Sequence, residues 1–321
     1  MVDTMPAKVT QLSIVIPVYN GADTIGSVVD DCITHLNHLD DLEIVLVNDG
    51  SHDNSDSVCK SLVDAHPQHV VYLNLARNVG EHSAVIAGIS QTTGNGIAIL
   101  DDDGQNPPSE VLKLIESFNE GHDVVYGIPT KREYNTFRNL GSKFNDKVAT
   151  LLIGKPADIY LSSFKIISPL VVNYIAKQAN PNPYVDSLIF QCTDKVSQIE
   201  VQQSKRSSGS SNYTIKKLFH LWSNMMTTAS ILPLRVATYA GLIFSALGLL
   251  AAFATFIEYF IYKTDVAGYT TTLIGILVFA GIQLFSLGIL GEYVGRIFQN
   301  SQLSTYVIRD FHKKRSDVEP R

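Results

Sequence analysis

The chain has 321 residues, 45% of them hydrophobic and 17% charged, with a formal net charge of −6. Mean hydropathy is +0.10 and the pI about 5.8. That balance excludes a basic nucleic-acid-binding surface, is greasier than an ordinary soluble enzyme, and leaves room for about two domains. Cys32, Cys59 and Cys192 are widely spaced and show no metal-binding or CxxC pattern, so they read as reduced structural thiols. The start, MVDTMPAKVTQL, lacks a basic stretch followed by an apolar one. It carries no sign of a cleaved signal peptide, and the first domain is expected to stay in the cytoplasm.

From about residue 10 to 125, strand and helix patterns alternate. Leu12–Val18 is a near-continuous apolar run, as in a parallel strand covered on both faces. Thr24–Leu39 then has helical spacing. Leu42–Val47 is a second strand and Asp53–Ala65 a helix. Val70–Leu75 is a third strand, Glu81–Ser90 a helix and Gly96–Leu100 a fourth strand. This order predicts an α/β fold with a mostly parallel sheet and right-handed crossovers. Ligands sit at the carboxyl ends of the strands in such sheets. Four strands here end in polar residues: Tyr19-Asn20, Asn48-Asp49-Gly50-Ser51, Arg77-Asn78 and Asp101-Asp102-Asp103. No GxGxxG follows the first strand and no P-loop motif occurs, so side chains and a cation must hold any phosphates.

The acidic triplet is the sharpest of these signals. Three adjacent carboxylates repel one another unless a cation neutralises them, and oxygen ligands at this density suit Mg²⁺ or Mn²⁺ on a diphosphate. A solvated Asp-rich turn is the plain alternative.

Two long apolar segments follow, Val236–Tyr262 and Thr271–Phe298. Glu258 is the only charge of the first, and Glu292 the first charge of the second. Each exceeds the roughly 20 apolar residues a bilayer core requires, and glycines recur in both. Lys216, Lys217 and Arg235 precede the pair, and Arg296, Arg309, Lys313, Lys314 and Arg315 follow it. The short Lys263–Thr270 connection is nearly neutral, so the positive-inside rule puts both flanks in the cytoplasm. Tyr213–Leu232 is amphipathic, with Ile215, Leu218, Phe219, Trp222 and Met226 on one stripe. An interfacial helix on the inner leaflet fits that stripe, and so does a helix packed on the first domain.

The strand-end sequences Pro17-Val18-Tyr19-Asn20, Val47–Asp53, Arg77-Asn78-Val79-Gly80 and Asp101–Pro108 occur in the order found in family 2 glycosyltransferases of the GT-A fold. Within that family the chain resembles polyprenyl-phosphate glycosyltransferases, such as bactoprenol glucosyltransferases and dolichyl-phosphate mannose synthases. The resemblance extends through Asp158–Lys165, Arg206–Tyr213 and the two apolar segments. Four departures stand out. Gly104 replaces a bulky apolar residue, and Gly21 a common Glu. Ile128-Pro129 stands where an Arg often follows the glycine, which leaves Lys131 or Arg132 for its phosphate role. Lys165 replaces an Arg and offers a point charge in place of a fork.

The resemblance implies inverting transfer of a sugar, first of all glucose from UDP-glucose and next mannose from GDP-mannose, onto a polyprenyl phosphate. It implies Mg²⁺ or Mn²⁺ on Asp103, with Asp101 and Gln105. It implies a nucleotide-sugar site of Pro17, Tyr19, Asn20, Asp49, Ser51, Arg77, Gly80, Asp101 and Asp102. Asp158 is the candidate catalytic base or acceptor-positioning residue beside Asp103, and equally a loop or cap residue. Arg132, Arg138, Lys205 and Arg206 are the candidate clamp for the acceptor phosphate, and equally solvated surface charge. The expected organisation is a cytoplasmic GT-A domain over 1–212, an interfacial helix over 213–234, a transmembrane hairpin over 235–299 and a cytoplasmic tail over 300–321. The expected setting is the inner membrane, with no nucleic-acid partner and room for a homo-oligomer. A processive polysaccharide synthase is the second reading, although Trp222, the only tryptophan, lies in the wrong context for the chain-gripping motif of those enzymes. A non-catalytic, membrane-anchored nucleotide-sugar scaffold is the third.

Overall fold

The structure is a computed structural model. It describes residues 8–37, 39, 41–130, 155–156, 158–177, 183–204, 268–300 and 306–313, with scattered positions between 239 and 261. The chain divides into two compact units, Met1–Tyr213 with Leu303–Arg321, and Thr214–Gln302.

The first unit is built on an eight-stranded sheet of order β7-β5-β6-β4-β1-β2-β3-β8. Its first half follows the sequence pattern closely: β1 (Gln11–Val18), α1 (Ile25–Leu36), β2 (Asp41–Asn48), α2 (Ser55–Ala65), β3 (Val70–Leu75), α3 (Glu81–Ile89) and β4 (Gly96–Ile99). α4 (Val111–Phe118), β5 (Val124–Pro129), β6 (Lys165–Ile167), α5 (Pro169–Ala176), α6 (Val185–Cys192) and β7 (Val196–Val201) complete the half beyond the acidic turn. β1 pairs in parallel with both β2 and β4, and β2 in parallel with β3. β6 is antiparallel to β4 and β5, so the sheet is mixed on that side.

The apolar runs are continuous because both sheet faces are covered. Ile14, Ile16 and Val18 of β1 face α1, α2 and α4, in a core with Val28, Cys32 and Leu114. Val15 alternates to the other face and joins Val45, Val47, Ala84 and Ile189 under α3, α5 and α6. Cys32 and Cys59 are free and buried, and burial pushes both thiols up to about 12, as inert core groups require.

β8 (Ile308–His312) departs from the sequence reading. The expected tail over 300–321 contributes this strand, which pairs antiparallel with β3 at the sheet edge. Five residues reading Ile-Arg-Asp-Phe-His lack the apolar run that marks the central strands, because an edge strand has only one partner.

In the second unit, α7 (Tyr269–Asn300) is a single helix of 32 residues. It exposes Ile276, Phe279, Leu284, Phe285, Leu287, Leu290, Val294 and Ile297. Among the described residues no helix is long and apolar enough to cross a membrane. The expected interfacial helix over 213–234 lies outside the described residues, and so does much of the first apolar segment.

Candidate active site

The order β4-β1-β2 makes a topological switch point, since the chain winds outward from β1 to β3 and returns to β4 on the other side. Such a point opens a crevice at the strand carboxyl ends. Tyr19 and Asp102 leave β1 and β4 there, and the Tyr19 amide donates to Asp102 Oδ2 at 3.1 Å.

From this contact a row of hydrogen bonds runs along the edge. The Asn20 amide donates to Ser51 Oγ at 3.0 Å, and the His52 amide donates back to Asn20 Oδ1 at 2.9 Å. Asn20 holds φ at 54°, a left-handed conformation that asparagine tolerates better than most residues. Gly21 donates to Ser55 Oγ and Ala22 to Asp53 Oδ2, which closes the β1–α1 loop onto the β2–α2 loop. Asp49 accepts from Val79 at 2.7 Å and from Gly80 at 2.9 Å, one amide per carboxylate oxygen, and so ties β2 to β3. Burial raises the pKa of Asp49, and the two amides partly pull it back. Tyr19 and Arg77 stand exposed, and Pro17 is half-buried. The fold thus gathers Pro17, Tyr19, Asn20, Asp49, Ser51, Arg77, Gly80, Asp101 and Asp102 along one edge.

The three aspartates do not share a role. Asp101 Oδ2 accepts from Ser163 Oγ at 2.6 Å and from Asn106 Nδ2 at 3.2 Å. Asp102 reaches back to β1. Asp103 Oδ1 accepts from the Gln105 amide at 3.0 Å. Burial first, and then the charges of Asp101 and Asp103, push the Asp102 carboxyl up to about 6 against the pull of the Tyr19 amide. The two unusual glycines have local causes. A Cβ on Gly21 would lie 2.4 Å from Asp102 Oδ2, so the position that commonly carries Glu is here filled by the Asp102 carboxylate. Gly104 has φ at 70° and lets the turn reverse directly behind the carboxylates.

Asn106, Ser163 and Gln203 were not singled out from sequence, and they organise this turn. Asn106 is buried, and its Oδ1 accepts from Gln203 Nε2 at 3.0 Å. The Ser204 amide donates to the Gln105 carbonyl at 2.9 Å, and the Gln202 amide to Glu110 Oε2 at 3.1 Å. Gln202, Gln203 and Ser204, which precede Arg206 in the chain, are therefore stapled to the acidic turn. Asn106 and Ser163 lie inside the quoted stretches Asp101–Pro108 and Asp158–Lys165; Gln203 carries no sequence signal.

Elsewhere the structure corrects or limits the reading. Lys165 offers its point charge inside the core and not to the crevice. It is 4% exposed and is turned into the core, where Nζ pairs with Asp186 and lies 5.0 Å from the Tyr126 ring centroid. Tyr126 donates to the same Asp186 oxygen at 2.8 Å. A buried ion pair with a second hydrogen bond is a structural unit, whose rupture would strand a charge. Asp158 is exposed, and Gln198 clasps the backbone on either side of the following Ile159, donating to the Asp158 carbonyl at 2.7 Å and accepting from the Tyr160 amide at 2.8 Å. Lys131, Arg132, Arg138, Lys205 and Arg206 lie outside the described residues.

Residues 13–168 match glycosyl transferase family 2, and residues 232–297 match the GtrB C-terminal hairpin. A Proteus mirabilis protein named undecaprenyl-phosphate 4-deoxy-4-formamido-L-arabinose transferase is 30% identical over 296 residues, 91% of each chain. The chain belongs to glycosyl transferase family 2. It is a glycosyltransferase of the α/β, GT-A-like kind. A second relative, the Bacillus subtilis protein named uncharacterized glycosyltransferase YkcC, is 31% identical over 306 residues, 91% of each chain. Among solved structures, glucosyl-3-phosphoglycerate synthase from Mycobacterium tuberculosis, in complex with Mn²⁺, UDP-glucose and phosphoglyceric acid, superposes with a TM-score of 0.51. At 17% identity over 68% of this chain and 78% of that one, the likeness is one of fold.

Proposed function

We propose that this family 2 enzyme transfers one sugar, with inversion, from a nucleotide diphosphosugar to a polyprenyl phosphate at the cytoplasmic face of the inner membrane. The observation that carries the reading is the row of four strand ends joined through Tyr19, Asp102, Asn20, Ser51 and Asp49, in a chain whose 232–297 segment matches the GtrB hairpin. The names of relatives aligned over 91% of the chain support the polyprenyl acceptor.

The residues fit a divalent cation. Among the described residues no group of three or more His, Cys, Asp or Glu forms a metal cage. Mg²⁺ or Mn²⁺ on a diphosphate needs only one or two carboxylates, the substrate supplying the rest. Three carboxylates stand together on this turn, and the charges of Asp101 and Asp103 add to burial in raising the Asp102 pKa, negative charge that a cation would offset. Asp103 and Asp101, with Gln105, would hold the ion, which supplies Lewis-acid stabilisation of the departing nucleoside diphosphate. The Tyr19 to Ser51 corner, with Asp49, Arg77 and Gly80, holds the nucleotide. Asp102 orients the sugar or ribose. Asp158 positions the acceptor, which is already an anion and needs little help from a base. Arg206 follows Ser204 by two residues, roughly 7 Å of extended chain, and Ser204 is fixed at Gln105. That reach supports Arg206 and Lys205 as acceptor-phosphate ligands, with Arg132 and Arg138 as further clamps.

The hairpin is a membrane anchor in this reading. Counted over its full sequence, Thr271–Phe298 has no charge before Glu292. A helix of 32 residues is about 48 Å long, against a hydrocarbon core of about 30 Å. Val236–Tyr262 supplies the second span, and both termini stay cytoplasmic.

UDP-glucose is the first donor to try, GDP-mannose the second and a nucleotide-activated 4-deoxy-4-formamido-L-arabinose the third. The test is product analysis with purified protein, radiolabelled donors, divalent ion and polyprenyl phosphate. One sugar per lipid supports the proposal. A polymer supports the processive reading, and binding without turnover of any donor supports the scaffold.

A further inference from the structure

A row of polar residues crosses the edge of an otherwise apolar sheet. Asn48 of β2 lies beside Asn74 of β3, and Asn74 lies opposite Asp310 of β8. Asn48 and Asn74 are buried, 2% and 7% exposed, so each of their polar atoms needs a partner. Asn74 Nδ2 donates to Asp310 Oδ2 and to Asp56 Oδ1, both at 3.3 Å. Asn48 Nδ2 donates to Asn74 Oδ1 at 3.1 Å and to the Tyr72 hydroxyl at 3.2 Å. Tyr72 in turn donates to Asp56 Oδ1 at 2.6 Å. Asn48 Oδ1 accepts from the Ser51 amide at 3.1 Å, and Ser51 Oγ accepts from the Asn20 amide. The donors and acceptors run in one sense from β8 to the donor corner, and the amide protons of both asparagines are used.

The edge strand is shaped for this. The β3–β8 register shifts between Asn74 and Leu75, which pair with Asp310 and Ile308 and leave Arg309 as the extra residue. Bulges of this kind re-aim side chains beside sites. Arg309 donates to the Ala76 carbonyl at 3.1 Å, next to Arg77 and Asn78. At the other end of β8, Lys313 Nζ lies 3.9 Å from the buried Glu43.

We propose that Asp310, delivered by the C-terminal segment, is a positioning residue for the nucleotide site, acting through Asn74 and Asn48 on Ser51. The proposal rests on the reading of the Asn20–Ser51 corner as the nucleotide site. It makes the segment after the hairpin a working part of that site and not a tail.

The test measures the Kd of the full-length protein for UDP-glucose and for GDP-mannose, together with Tm. Asp310→Ala should weaken binding about 5- to 10-fold, as expected for one lost charge-assisted hydrogen bond in a relay. Asp310→Asn keeps an acceptor oxygen for Asn74 and should stay within about twofold of the parent. Lys313→Ala loosens the far end of the same strand and should lower Tm while leaving Kd in place. An unchanged Kd for Asp310→Ala overturns the proposal. So does an Asp310→Asn variant as weak as Asp310→Ala, or equal weakening by Lys313→Ala. If the parent protein binds neither of these nor a nucleotide-activated 4-deoxy-4-formamido-L-arabinose, the donor-site reading falls first, and the proposal with it.

Discussion

Helices α3 and α7 are both apolar through most of their length, yet they place that surface oppositely. α3 buries Ala84, Val85, Ile86, Ala87 and Ile89, mostly to within a few per cent. α7 leaves Leu284, Phe285, Leu287 and Ile297 more than 60% exposed. A helix that is apolar all round must be surrounded by protein or by lipid. α3 finds protein, between the sheet and its covering helices. α7 presents its apolar side chains outward within its own unit, which is the arrangement a bilayer would accept. Composition alone does not tell α3 from α7; the exposure of their side chains does, and the proposed membrane anchor rests on that difference.

The largest expected effect falls on the polar edge that α3 supports. Asp103→Ala should lower turnover at least about 1000-fold, since it removes a charge that works only with the leaving diphosphate. Tm should hardly move, because Asp103 is half-buried on a turn. Substantial turnover by this variant, or by the parent in excess EDTA, would break the metal assignment.

A matched pair of substitutions then tests the comparison itself. Ile86→Arg places an unpaired charge in the packed face of α3 and should cost on the order of 4 kcal/mol, enough to unfold much of the first unit. Leu284→Arg should leave that unit folded and cost about 3 kcal/mol of membrane insertion instead. Circular dichroism and alkaline extraction of membranes read the two outcomes. Equal loss of fold in both variants would show that α7 packs like α3.

The smallest effect is a pH dependence on α3. Desolvation of the His82 ring, reinforced by Lys165 and opposed by Asp186, pushes it down to about 4. The ring packs edge-on against Tyr184, with centroids 4.7 Å apart. Between about 6.5 and 4 the unfolded chain binds a proton that the folded domain refuses. Stability contributed by neutral His82 is therefore lost as pH falls through that window. His82→Phe should flatten the fall in Tm, and an unchanged slope would contradict the assignment.

The sequence marks the part of the fold where strands are covered on both faces. Leu12–Val18 and Leu42–Val47 are continuous apolar runs with polar stops, and the structure places β1 and β2 within a residue of them. The donor edge was legible for the same reason, because a parallel sheet puts all its strand ends on one side. Lys165 was misplaced because its partner, Asp186, is 21 residues away and nothing local announces an ion pair. β8 was missed because its five residues carry three that are charged or titratable, and its partner strand is over 200 residues earlier. Pairing at such separations leaves no local periodicity to detect.

The proposed function divides the labour: the strand-end residues hold the nucleotide sugar, and Arg206 holds the lipid phosphate. Arg206→Ala tests it most directly, by comparing nucleotide-sugar affinity with turnover on polyprenyl phosphate. The account predicts turnover depressed about 10-fold or more, with donor Kd nearly unchanged. Weakened nucleotide-sugar binding in this variant would put Arg206 in the donor site and contradict the division.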